Sequence, residues 1–194
     1  MVQANLWRST GRFWRKRILK HMEQLIIVKP EELPDLDVTQ LQGKYLFTYA
    51  AYLRAGYVWF HAAHHLTRGL SFSGDHAILY DKIYTTLLEM IDAAIERGIG
   101  LTGPHVACPL QLSIASAQII TCYPSPAEIS STAIAASGHS IVCDMIKFIE
   151  QMNQCLDDAG GLTLGLSDLL AADANTLEGF VYLLKQRTLT EMGS

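Results

Sequence analysis

One apolar stripe constrains this chain more than anything else in it. From Val38 to Leu66, the residues Leu41, Tyr45, Leu46, Tyr49, Tyr52, Leu53, Tyr57 and Phe60 recur at three- and four-residue steps, the period of one helix face. A second stripe passes through Ile78, Leu79, Ile83, Leu87, Met90, Ile91 and Ile95 and stops around Gly98 to Gly103, with Ser73 or Asp75 available as its cap. These two predict an antiparallel hairpin. Pro104 and Pro109 then frame a connection in which Leu110 to Ile119 reads as a small helix, before Tyr123-Pro124-Ser125-Pro126. Ser125 is placed to cap a third helix from Ala127 to Ala159, with Ile134, Ile141, Met145, Ile149 and Met152 in its stripe. Gly160-Gly161 ends that helix, and Leu164 to Arg187 forms a fourth. Two helical hairpins joined by a long crossover describe an all-α four-helix bundle with a short extra helix in the crossover. No strand alternation, internal repeat or low-complexity segment competes with this reading.

A length of 194 residues suits one domain with a sizeable core. The 49% hydrophobic and 18% charged composition argues against disorder. No apolar run reaches the roughly 18 residues of a membrane span; Tyr45 to Ala63 comes closest, but Arg54 and Gly56 interrupt it. Such apolarity in a modest domain often means that part of the surface is covered by other subunits. Cys108, Cys122, Cys143 and Cys155 match no zinc or redox spacing, and read as reduced core residues of a cytoplasmic protein. The basic N-terminal stretch leads into no apolar core of secretory length. Pro30 and Pro34, among Glu31, Glu32, Asp35 and Asp37, divide a basic extension and linker (1–36) from the bundle (37–190).

Charge is unevenly distributed. Arg8, Arg12, Arg15, Lys16, Arg17 and Lys20 stand in the first 20 residues with no acid, leaving nine bases against 19 acids in the rest. The net charge of −4 therefore hides a +6 tail on a −10 body. Such an arm suits a polyanion, DNA being the obvious one. Trp7, Phe13 and Trp14 equally suit an amphipathic helix on an anionic membrane or a partner, and a simple solvated extension explains the same composition.

Four side chains carry chemistry that packing alone does not explain. His64 and His76 flank the turn through Gly69 and Gly74, and Asp92 and Glu96 lie four apart, on one face of the second helix. Imidazole with carboxylate suits iron, manganese or zinc better than calcium or magnesium. The plainer reading makes the histidines hydrogen-bonded core residues and the acids a solvated face; His21, His105 and His139 fit that reading.

The run His64-His65-Leu66-Thr67-Arg68-Gly69-Leu70-Ser71-Phe72-Ser73-Gly74-Asp75-His76, followed by Tyr84, Asp92 and Glu96-Arg97, resembles the signature of the Dps proteins, the mini-ferritins of the ferritin-like superfamily. The motif covers about residues 57–103, and the last helix resembles that family's final helix more loosely. The resemblance implies a ferritin-like bundle assembled as a dodecamer, a hollow shell that oxidises ferrous iron, usually with hydrogen peroxide, and stores the ferric product. It also implies a ferroxidase centre shared between two subunits, with His64, His76 and Asp81 of one chain facing Asp92 and Glu96 of its twofold partner. Negatively charged pores belong to the same pattern; Asp157, Asp158, Asp168 and Asp173 lie around the start of the last helix, and Asp168 is the preferred pore residue. Keeping oxidation away from DNA would give the basic tail a purpose.

The chain departs from that signature in three places. The third ligand is expected four residues after His76, but Tyr80 stands there and the carboxylate is Asp81, five along. An i,i+5 pair points about 140° apart on a regular α-helix, so Asp81 joins only if the helix starts after His76 or contains a π-type bulge. Where a tryptophan is expected after the first histidine stands His65, which pairs at i,i+4 with His61; these two either support the ligands or make an altered, histidine-richer site. The apolar, cysteine-bearing crossover has no counterpart in the motif. Tyr80, Tyr84 and Trp59 read as core or interface. The rival to an iron oxidase is a shell that has lost its iron chemistry through the residue inserted near His76 and acts as a DNA-binding or structural protein. A di-iron oxygenase would need Glu-x-x-His pairs on two helices, and the chain has none.

Overall fold

Asp37 opens the bundle with a reciprocal cap. Its carboxylate accepts from the Gln40 backbone N–H at 2.8 Å, and the Gln40 side chain accepts from the Asp37 N–H at 3.2 Å, satisfying two donors that a helix start leaves unpaired. The computed structural model describes residues 36–189. Arg8, Arg12, Arg15, Lys16, Arg17, Lys20 and His21 lie outside the described residues, as does the linker with Pro30 and Pro34.

Helix α1 spans Val38–Leu66, the full extent of the first stripe. After a turn through Gly69, whose φ of 88° favours glycine, a single turn α2 (Phe72–Gly74) leads through a π-helix (Asp75–Tyr80) into α3 (Asp81–Thr102). Gly103, at φ 99°, ends that rod. A 3-10 turn (Pro104–Ala107), the short helix α4 (Pro109–Ile120) and a second 3-10 turn (Pro126–Glu128) make the crossover. Helices α5 (Ser131–Asp158) and α6 (Leu164–Thr188) form the second hairpin. The architecture is all-α: α1 packs along α3, α5 along α6, and α4 lies across α1.

The core lies where the stripes meet. Phe148 of α5 sits against Tyr45, Tyr49 and Tyr52 of α1, with ring centroids 6.2, 6.3 and 5.1 Å apart. Around them Leu46, Leu53, Ile83, Leu87, Ile134, Met145, Met152 and Leu156 are fully buried. Each such side chain contributes about 1.5–3 kcal/mol relative to exposure. Gly138 lets α5 approach α1, because a Cβ there would stand 2.8 Å from the buried Phe60 ring.

Several local expectations need correction. Neither Ser73 nor Asp75 caps the second rod, which begins at Phe72 with Ser71 in the cap position. Ser125 caps only the 3-10 turn; extended backbone at Ile129 breaks the path, and the Ser130 side chain caps α5 by accepting from Ala133 N–H. The four cysteines form no disulfide among the described residues and are half-buried rather than fully buried, Cys155 packing against the core, and His105 is exposed in its 3-10 turn. His139 is half-buried beside Cys143, on the same face of α5.

Two buried polar contacts tie distant segments together. Asp75, 2% exposed, accepts from Arg187 Nε at 2.8 Å, and from Ser71 and Thr67 at 2.8 and 3.2 Å. Arg187 also donates to Ser71, so the end of α6 is clamped onto the turn after α1. Tyr49 donates to Asp173 at 2.6 Å inside the bundle. Burial pushes the Asp173 carboxyl above its ordinary value, and the Tyr49 hydroxyl pulls it partly back.

Arg187→Ala strands a buried carboxylate, so urea unfolding should show a loss of about 2–4 kcal/mol. Because Arg187 itself is partly exposed, Asp75→Ala should cost less. Tyr49→Phe removes a hydrogen bond to a charged acceptor worth about 1.5–3 kcal/mol. Since the folded pKa of Asp173 is raised, the folded state takes up its proton first as pH falls from neutral towards the ordinary carboxylate value, and stability rises from this group. The Tyr49→Phe deficit should therefore be larger at pH 7 than near pH 4.5 in matched urea titrations.

Candidate metal centre

The chain brings two of the expected ligands together across one turn. His64 stands in the last turn of α1, 9% exposed, and His76 in the π-helix, half-buried. Their rings stack, with centroids 3.7 Å apart and planes 20° apart. His64 Nδ1 lies 2.8 Å from the His76 carbonyl oxygen, and His76 Nδ1 lies 2.7 Å from the His64 carbonyl oxygen. A carbonyl can only accept, so both Nδ1 atoms carry the proton. In the neutral ring Nε2 is then the nitrogen that keeps the lone pair, the form in which imidazole binds a metal. Phe72 stacks on the other side of His76 at 4.9 Å. Ring orientation and tautomer are thus set before any ion arrives.

The π-helix over Asp75–Tyr80 resolves the register of Asp81. An i→i+5 ladder carries residue i+5 over residue i much as i+4 lies over i in an α-helix, so the inserted residue is absorbed and Asp81 follows His76 on the same side. Tyr84 bridges the two groups. Its hydroxyl donates to Asp81 Oδ1 at 2.8 Å, while its ring meets His64 edge-on at 5.4 Å. Tyr80, displaced from the ligand position, turns into the core, where it is fully buried and its hydroxyl has no hydrogen-bond partner among the described residues. Trp59 is also core, donating its indole N–H to the Pro124 carbonyl.

Asp92 and Glu96 do not join these residues within one chain. Eleven residues separate Asp81 from Asp92, about 16 Å along a helix. Both Asp92 and Glu96 are exposed on one face of α3 and make no hydrogen bond or ion pair among the described residues. Correspondingly, no group of three or more His, Cys, Asp or Glu among the described residues closes around a single ion. Within one chain the His64–His76 pair and the Asp92–Glu96 pair are therefore separate.

His61 and His65, both exposed, lie beside the imidazole set, with Nε2 atoms 3.3 Å apart. His65 is held below the ordinary histidine value, by desolvation first and then by the neighbouring His64, His61 and His76, which favours its neutral form. Asp157, Asp158 and Asp168 are exposed near the α5–α6 turn. Asp173 is not available to a pore: it is 7% exposed and bonded to Tyr49 in the interior. The buried clamp formed by Asp75, Ser71, Thr67 and Arg187 was missed as a feature of the sequence, because Asp75 beside Gly74 also fits a helix cap. None of the helices described is long and apolar enough to cross a membrane.

The chain matches no family model and no curated protein by sequence. Among solved structures it is similar to Dps from Thermosynechococcus elongatus, with a TM-score of 0.67 and 23% identity over 80% of this chain and 97% of that one. It is also similar to Dps from Microbacterium arborescens in a high iron form, with a TM-score of 0.63 and 16% identity over 79% of this chain and 95% of that one. The described chain therefore has the ferritin-like fold of the Dps structures.

Proposed function

We propose that this protein is a Dps-like mini-ferritin that oxidises ferrous iron at sites completed between two subunits, and stores the product inside a hollow shell. One observation carries the reading: His64 and His76 fix one another's tautomer, so that two Nε2 atoms stand ready, while Asp92 and Glu96 stand exposed elsewhere on the same rod and unpaired among the described residues. A twofold partner would bring its acid pair to these imidazoles, as the fold shared with Dps proteins suggests. Iron is here the substrate. Neutral imidazoles hold ferrous iron without overstabilising the ferric state, and the acids balance the added charge after oxidation. Two ferrous ions give one electron each to hydrogen peroxide, whose O–O bond breaks, and two protons complete two waters. The chain's part is to bind, orient and neutralise charge.

Twelve subunits, acidic entry near Asp168 and contact between DNA and the basic tail belong to the same proposal. With six basic residues neutralising phosphates, the logarithm of the DNA binding constant should fall with log salt at a slope of about −5.

Ferrous oxidation followed by absorbance under anaerobic addition of peroxide tests the enzyme directly. The native chain should outpace free iron, and His64→Ala, His76→Ala and Glu96→Ala should each slow it at least tenfold. Equal rates with and without protein would instead favour a shell without iron chemistry. In a gel shift, the full chain should retard duplex DNA at low salt, and a chain lacking residues 1–20 should not. Retardation that persists without the tail, or ignores salt, would remove DNA from its role.

A further inference from the structure

We propose that His61 and His65 form a second metal site, a two-imidazole chelate for a borderline divalent ion such as Zn2+, built within a single chain. The pair stands four apart on the exposed face of α1, the spacing at which two histidines of one helix grip zinc. Their Nε2 atoms lie 3.3 Å apart. Two nitrogens about 2.0–2.1 Å from a tetrahedral ion are about 3.3 Å from each other, so the rings already hold the separation that one bound ion requires. Before binding, one Nε2–H donates to the other Nε2. An ion replaces that shared proton, which moves to the Nδ1 of the same ring.

Neighbouring rings restrict both imidazoles. Tyr57 stacks on His61 with planes 6° apart and centroids at 5.9 Å, and Tyr84 meets it edge-on at 4.9 Å. His65 packs edge-on against His64 at 4.8 Å. In the single chain both ligands are exposed, and water fills the remaining positions. The −10 charge outside the basic tail attracts cations to it. This site differs from the His64–His76 pair in what completes it. Each chain supplies both protein ligands here, whereas the proposed iron site needs a second subunit.

Isothermal titration of the full-length chain with Zn2+, without iron or oxidant, tests the assignment. In the His64→Ala/His76→Ala background, about one equivalent per chain should still bind, and adding His61→Ala or His65→Ala should weaken it at least tenfold. Unchanged affinity and stoichiometry after both additions would overturn the proposal. Should that background lose its helical circular dichroism, Cu2+ bound to the otherwise native chain gives the answer by electron paramagnetic resonance. Its nitrogen couplings should fall by one on His61→Ala, and identical spectra would reject the site. Because no iron is oxidised in either assay, failure here leaves the ferroxidase reading standing, and failure of that reading leaves this site standing.

Discussion

The reciprocal hydrogen bonds between His64 and His76 are the constraint on which the rest depends. Each imidazole gives its Nδ1 proton to the other's backbone carbonyl, so a single pair of bonds joins α1 to the π-helix and turns both Nε2 atoms into free donors of lone pairs. Without that brace, the histidines would be two polar side chains at the mouth of a turn. With it, they are preorganised, and the cost of orienting them is met on folding rather than on binding.

The π-helix serves the same end. A residue added to a regular helix after His76 would swing Asp81 away by about 100° and bring Tyr80 to the ligand side. The wider ladder returns Asp81 to the side of His76 and sends Tyr80 inward, leaving a buried hydroxyl without a partner among the described residues. Such segments are uncommon and concentrate at functional sites. The Asp75–Arg187 clamp holds the N-terminal end of that π-helix to α6, so the second hairpin steadies the site made by the first.

Much of this was legible in the amino-acid order. The first stripe delimits α1 from Val38 to Leu66, and the glycine pair at 160–161 separates α5 from α6, because apolar period and glycine breaks act locally. The five-residue step between His76 and Asp81 left two ways for Asp81 to join, a helix starting after His76 or a π-type bulge, and the chain has a π-helix there. Other features depend on contacts far apart in sequence. Asp75 is a clamp only because Arg187 arrives 112 residues later, and Asp173 is interior only because Tyr49 faces it across the bundle. Histidine tautomers were illegible for the same reason, since the accepting carbonyls are placed by the turn rather than by any nearby residue type. The acid pair on α3 was half legible: spacing puts Asp92 and Glu96 on one face, but spacing does not say what that face meets.

Crystals of the full-length protein soaked anaerobically in ferrous iron, with anomalous data collected on both sides of the iron edge, measure the central claim most directly. The account predicts an iron peak in coordinating contact with Nε2 of both His64 and His76 and with a carboxylate from a neighbouring subunit. Iron bound elsewhere while both Nε2 atoms face only protein or water would contradict it.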